Sequence, residues 1–97
     1  MKLIYGDRGS GKTTELIKIA HERGLYIVCF DERRAMQISR LARSLEMDIR
    51  YPITVDELPL QRGVFIKEVL VDDMEDVLAR MLRKNISAAT ITKEDEG

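Results

Sequence analysis

Two rhythms alternate along this chain: short unbroken apolar runs, and longer stretches in which apolar positions recur at helical spacing. Residues 2–5 and 25–30 are runs of strand length, and continuous apolar sequence marks a strand buried on both faces of a parallel sheet. A third run, within 64–71, ends in Val69, Leu70 and Val71 and leads directly into Asp72 and Asp73. A fourth, 86–92, carries Ile86, Ala88, Ala89 and Ile91. Between them the period becomes helical. Leu16, Ile17 and Ala20 share one face over 14–23, and Gly24 supplies the stop. Ala35, Ile38, Leu41, Ala42 and Leu45 form a stripe over 32–45. Met74, Val77, Leu78, Met81 and Leu82 follow at i, i+3, i+4, i+7 and i+8 in a helix that Asn85 ends, with Asp76 and Arg80 paired on its outer side.

Residues 47–55 give a weaker pattern. Residues 48–51 suit a short edge strand, since Pro52 discourages a central one. Thr54 and Glu57 have capping-box spacing, and Pro59 limits any helix there to a turn or two. Residues 61–63 make a loop. Strands alternating with helices predict an α/β fold, with helices in three αβα layers around a small, mainly parallel sheet. The expected unit is a single domain over residues 1–97, in which 93–97 is a frayed acidic tail.

Composition narrows the picture only a little. A chain of 97 residues buries roughly 60–70% of its unfolded surface, enough for a core of modest depth. A formal net charge of −1 favours neither nucleic acid nor an acidic partner. Cys29, the single cysteine, lies inside an apolar run, which suits a reduced buried thiol in a cytoplasmic protein. The longest apolar run, six residues, is far short of a membrane span, and no signal peptide is expected ahead of the first strand.

The chemistry concentrates in residues 6–13, Gly-Asp-Arg-Gly-Ser-Gly-Lys-Thr. This is G-x-x-x-x-G-K-[ST], the phosphate-binding loop or Walker A motif. Gly6 and Gly11 permit backbone angles and close approach that a Cβ would forbid, and Gly9 opens the loop further. The backbone N–H groups of Gly6, Asp7, Arg8, Gly9, Ser10, Gly11, Lys12, Thr13 and Thr14 can then converge on phosphate oxygens. Lys12 brings three donors and a compact charge to the β- and γ-phosphates, and so is a candidate catalytic residue. Thr13 offers its hydroxyl to Mg²⁺, an ion that keeps most of its waters and takes few protein ligands. An apolar run precedes the loop and a helix follows it. That is the context the motif needs, because the helix N-terminus adds its dipole to the anion site.

A parallel sheet gathers the C-terminal ends of its strands along one edge, where ligands bind. Asp72 is therefore expected beside the loop as a metal-side carboxylate, the Walker B role. Asp73 is placed either to orient an attacking water, as a catalytic residue, or as the N-cap of the next helix. Thr90 and Thr92, at the end of the last run, are candidate γ-phosphate sensors or ordinary strand residues, and Asp31 is a weaker candidate on the same edge. His21 is read as a surface residue, and Tyr5, Tyr26 and Tyr51 as strand or edge packing. Arg33, Arg40 and Arg43 form a basic helix face, either solvated or in contact with a phosphate backbone.

Assembled in this way, the chain resembles the ATPase core of P-loop helicases and phage packaging motors. Residues 6–13 are similar to motif I, 30–43 in layout to motif Ia, and 53–58 to the segment before the Walker B strand. Residues 69–73 are similar to motif II with Asp73 in place of the usual glutamate, and 90–92 to the start of motif III. Small P-loop proteins encoded by phages and prophages of Gram-positive bacteria are also similar. The resemblance implies a P-loop NTPase core, ATP and Mg²⁺ as ligands, and a strand order of first, last, Walker B, second. It does not carry over helicase activity, because the second motor domain and its arginine finger have no counterpart in the chain. The expected function is ATP binding with weak Mg²⁺-dependent hydrolysis, as an accessory in phage or bacterial DNA metabolism. A homo-oligomer, with Arg8 reaching a neighbour's nucleotide, or a separate protein partner would supply the missing group. DNA is a further candidate partner; a membrane is not. Two alternatives stand beside this reading. One is a nucleoside or nucleotide kinase, since residues 11–17 resemble the loop and helix of thymidine kinases. The other is a non-hydrolysing regulatory module.

Overall fold

The computed structural model describes residues 1–7, 9, 11–60 and 66–92. The architecture is α/β. Helix α1 spans Lys12–Arg23, strand β1 Ile27–Cys29, helix α2 Glu32–Ser44 and strand β2 Ile53–Thr54. A 3-10 turn at Val55–Glu57, strand β3 at Leu70–Val71 and helix α3 at Met74–Leu82 complete the order. The three strands form one parallel sheet ordered β2-β1-β3.

Register decides what each face buries. Val28 aligns with Ile53 and with Val71, and these three share a cluster with Val77 of α3. Ile27 aligns with Leu70. Together with Cys29 they face the other way, against Leu16, Ile17 and Ala20 of α1 and Ala35, Ile38 and Ala42 of α2. Both faces of β1 are thus covered by helix, which is why its sequence reads as an unbroken apolar run.

Caps fix the helix ends. Gly11 and Gly24 flank α1 in left-handed conformations, at φ +87° and +66°. Asp31 caps α2 by accepting a hydrogen bond from the Arg34 backbone N–H at 2.9 Å. Thr54 and Glu57 form the capping box expected from their spacing: the Glu57 carboxylate accepts from the Thr54 N–H at 2.7 Å, and the Thr54 side chain accepts from the Glu57 backbone N–H. Helix α3 ends at Leu82, before the expected Asn85, because Arg83 turns left-handed at φ 57°. Arg80 does not turn to Asp76; it pairs with Asp56 at 3.6 Å and lies over the Phe30 ring.

Three strand expectations are corrected. Residues 2–5 and 86–92 are irregular rather than paired into the sheet, although Ile4 still packs on the α1–α2 core. In the expected order the first strand has only the last strand as its neighbour, so the two are lost together. The last run is rich in small side chains, Ser87, Ala88 and Ala89, which bury little area and have low strand preference. The edge strand is Ile53–Thr54, just after a buried Pro52, and not residues 48–51. The expected loop at 61–63, the start of the third run and the acidic tail at 93–97 lie outside the described residues.

Candidate functional site

The Walker A segment leads from the irregular residues 1–7 into α1. Gly9 adopts φ +81° and Gly11 φ +87°, values that side chains rarely accept. The Lys12 ammonium donates to the Gly6 carbonyl at 2.7 Å and so spans the loop from end to start. Asp7 is exposed and Thr14 half-buried. Arg8 and Ser10 lie outside the described residues.

From the first turn of α1, the Thr13 hydroxyl donates to Asp72 Oδ1 at 3.1 Å across 59 residues of sequence. Asp72 directly follows β3, and its backbone N–H continues the ladder by donating to the Val28 carbonyl at 2.9 Å. Its side chain is only 6% exposed. The predicted loop hydroxyl and strand-end carboxylate therefore meet, at the edge where β1 and β3 end.

A third side chain, Arg34, joins them. Its Nε donates to Asp72 Oδ2 at 2.8 Å and its Nη2 to Thr13 Oγ1 at 2.8 Å. Nη2 also lies 3.4 Å from Asp72 Oδ1, and Nη1 donates to Gln37 Oε1 at 3.1 Å. A guanidinium fork on a carboxylate is a strong pairing, and Asp72 holds Arg34 more firmly protonated than usual. The sequence pattern singles out Arg33, Arg40 and Arg43, all of which are exposed, and not Arg34. A signal was present nonetheless. Arg34 continues the stripe of Ile38, Leu41 and Leu45, and a cation on a buried face requires a buried anion. It also stands in the first turn of a helix, against the macrodipole.

Asp73 takes the N-cap position of α3 by backbone, accepting from the N–H groups of Asp76 and Val77, but its side chain makes no capping bond. Its φ of 51° is left-handed, uncommon for any residue but glycine and tolerated by aspartate. Loss of water, then the Asp72 charge, raises the Asp73 carboxyl pKa, while Lys12 and Arg34 pull it back. One turn thus sets Asp73 within the electrostatic reach of Lys12, Arg34 and Asp72.

Other candidates find structural roles. Asp31 is the cap of α2. A ring nitrogen of His21 bonds to the Asp48 carbonyl at 2.8 Å. Tyr51 donates to Glu32 at 2.6 Å, and Tyr26 lies under the Arg50 guanidinium, whereas Tyr5 is 80% exposed. Thr90 and Thr92 are exposed in the irregular segment after α3. Cys29 is buried, and burial foremost, then Asp72 and Asp31, pushes its thiol up to about 11, so it stays protonated and unreactive.

The donor set can be tested against Mg²⁺. Thr13 Oγ1 and the Asp72 carboxylate are hard oxygens held together, the type this ion takes. Among the described residues no group of three or more His, Cys, Asp or Glu could hold a metal ion. Two donors would leave the remaining positions of such an ion to water and phosphate, the pattern Mg²⁺ shows in nucleotide sites. No helix among the described residues is long and apolar enough to cross a membrane. No protein-family model, no curated protein and no solved structure matches the chain.

Proposed function

We propose that this chain is a minimal P-loop nucleotide-binding protein, built on a three-layer αβα core, that binds ATP with Mg²⁺ and hydrolyses it slowly. The observation that carries the reading is the hydrogen bond from Thr13 to Asp72. It joins the last position of a phosphate-loop sequence to the carboxylate after a parallel strand. A chance glycine-rich turn gives no reason for that pairing.

In this reading Lys12 exchanges the Gly6 carbonyl for phosphate oxygens and offsets their charge. Thr13 and Asp72 hold the metal, which when bound neutralises charge building on the transferred phosphoryl group. Asp73, with a carboxyl pKa raised toward a more useful base, orients and deprotonates the attacking water. An arginine supplied by self-assembly or by a protein partner serves the transition state, and without it turnover is slow. On the resemblance to helicases and packaging motors, the role proposed is that of an accessory in phage or bacterial DNA metabolism.

Thermal melting with ATP, GTP, ADP and dTTP, each with and without Mg²⁺, tests the reading. A ligand at a hundredfold excess over Kd stabilises by about 2.7 kcal/mol, a rise on the order of 10 °C for a domain of this size. ATP with Mg²⁺ is expected to give the largest rise, followed by slow release of free phosphate. When a mixture of nucleosides is added with ATP, a phosphorylated nucleoside would mean a kinase, and unchanged ATP a regulatory module. No rise with any nucleotide would contradict the proposal.

A further inference from the structure

The two oxygen donors assigned to the metal already face a cation. The Arg34 guanidinium reaches Thr13 Oγ1 and both Asp72 oxygens, and it is anchored by Gln37 on one side and, through its own backbone, by the Asp31 cap. Thr13 spends its single proton on Asp72 and accepts from Arg34 with one of its two lone pairs. Asp72 is nearly buried, and a buried carboxylate needs a counter-charge whether or not nucleotide is present.

We infer that Arg34 is an internal counter-cation for the two donors assigned to the metal, and that a divalent ion enters only as Arg34 leaves Thr13 and Asp72. The inference rests on the reading of those two residues as metal donors. Three features support it. An ion bonded to Thr13 Oγ1 would stand beside the guanidinium, and like charges so close repel. The Arg34 side chain is about one-third exposed, so the arm has an open side toward solvent through which to withdraw. The Asp31 cap holds the Arg34 backbone and not its side chain, so the arm can swing, giving up its Gln37 bond, while the helix stays capped. Arg34 is thus a positioning residue: it keeps the hydroxyl and the carboxylate assembled before loading and makes metal binding alone unfavourable. Metal arriving with the negative charge of a nucleotide has the extra attraction needed to displace it.

The experiment uses metal without nucleotide, followed by thermal melting and by Mn²⁺ binding read through electron paramagnetic resonance. Wild type is expected to melt at the same temperature in EDTA and in millimolar Mg²⁺ at matched ionic strength. Arg34→Gln is expected to melt lower in EDTA and to be restored by Mg²⁺, with Mn²⁺ affinity raised by roughly tenfold or more. Adding Asp72→Asn to Arg34→Gln should abolish that metal response. Should Arg34→Gln fail to fold, Arg34→Lys, which keeps the charge but loses the fork, must show an intermediate gain in Mn²⁺ affinity. The inference is overturned if wild type responds to metal as strongly as the variant. It is equally overturned if neither Arg34 variant gains affinity, or if the gain survives loss of Asp72. A subsequent ATP titration of the same samples reports on the nucleotide-binding proposal separately, since a metal contrast without ATP binding would sink that proposal and leave this one standing.

Discussion

Asp73 shows at the scale of one residue how the site departs from what the fold prefers. Its backbone is left-handed, its side chain leaves the cap unmade, and its neighbour Asp72 is a carboxylate. Its pKa lies above the usual 3.8, so the folded form holds the proton more tightly than the unfolded chain does. Its contribution to stability is then fully present below the unfolded value and is lost as pH rises through the folded one. Asparagine tolerates the same backbone. Asp73→Asn should therefore melt above wild type at neutral pH, and the gain should fade as the pH falls to about 4. An equal or lower melting temperature at neutral pH would contradict the electrostatic account. The same substitution should slow hydrolysis, because the carboxylate that costs stability is the one assigned to the water.

At the scale of elements, α2 links the scaffold to the site. Its Asp31 cap holds the Arg34 backbone while the Arg34 side chain reaches Asp72. Asp31→Ala should cost about 1 kcal/mol, as lost caps do, seen as a lower denaturant midpoint with an unchanged slope; an unchanged midpoint would show that the cap bond carries no weight. Legibility also divides by element. Helices α1, α2 and α3 and strand β1 were readable because their apolar positions follow one period and bury one face or both. The meeting of Thr13 with Asp72 was legible because the motif sets the position of the one and a strand end that of the other. Residues 2–5 and 86–92 looked like strands because a local apolar pattern says nothing about which neighbour will pair with it. Strand β2 was misplaced by a few residues, since a two-residue edge strand leaves almost no periodic signal. Arg34 was missed because its role depends on a carboxylate 38 residues away.

For the whole molecule, charge is nearly balanced, with 16 Lys and Arg against 17 Asp and Glu. Any DNA contact would come from a local patch, and Arg33, Arg40 and Arg43 on the exposed side of α2 form one such patch among the described residues. Binding through them should be weak and fall steeply with salt. Replacing all three with glutamine should abolish a low-salt gel shift while ATP affinity stays the same; no shift with wild type at low salt would exclude this surface. The central claim is that residues 6–13 form a phosphate site completed by Thr13 and Asp72. Calorimetric titration of ATP with Mg²⁺ into wild type and Lys12→Ala, with folding of both checked by circular dichroism, tests it most directly. Losing one charge-assisted bond costs about 1.5–3 kcal/mol. Lys12→Ala should therefore bind ATP roughly ten- to a hundredfold more weakly than wild type, whereas equal affinity in the two folded proteins would contradict the account.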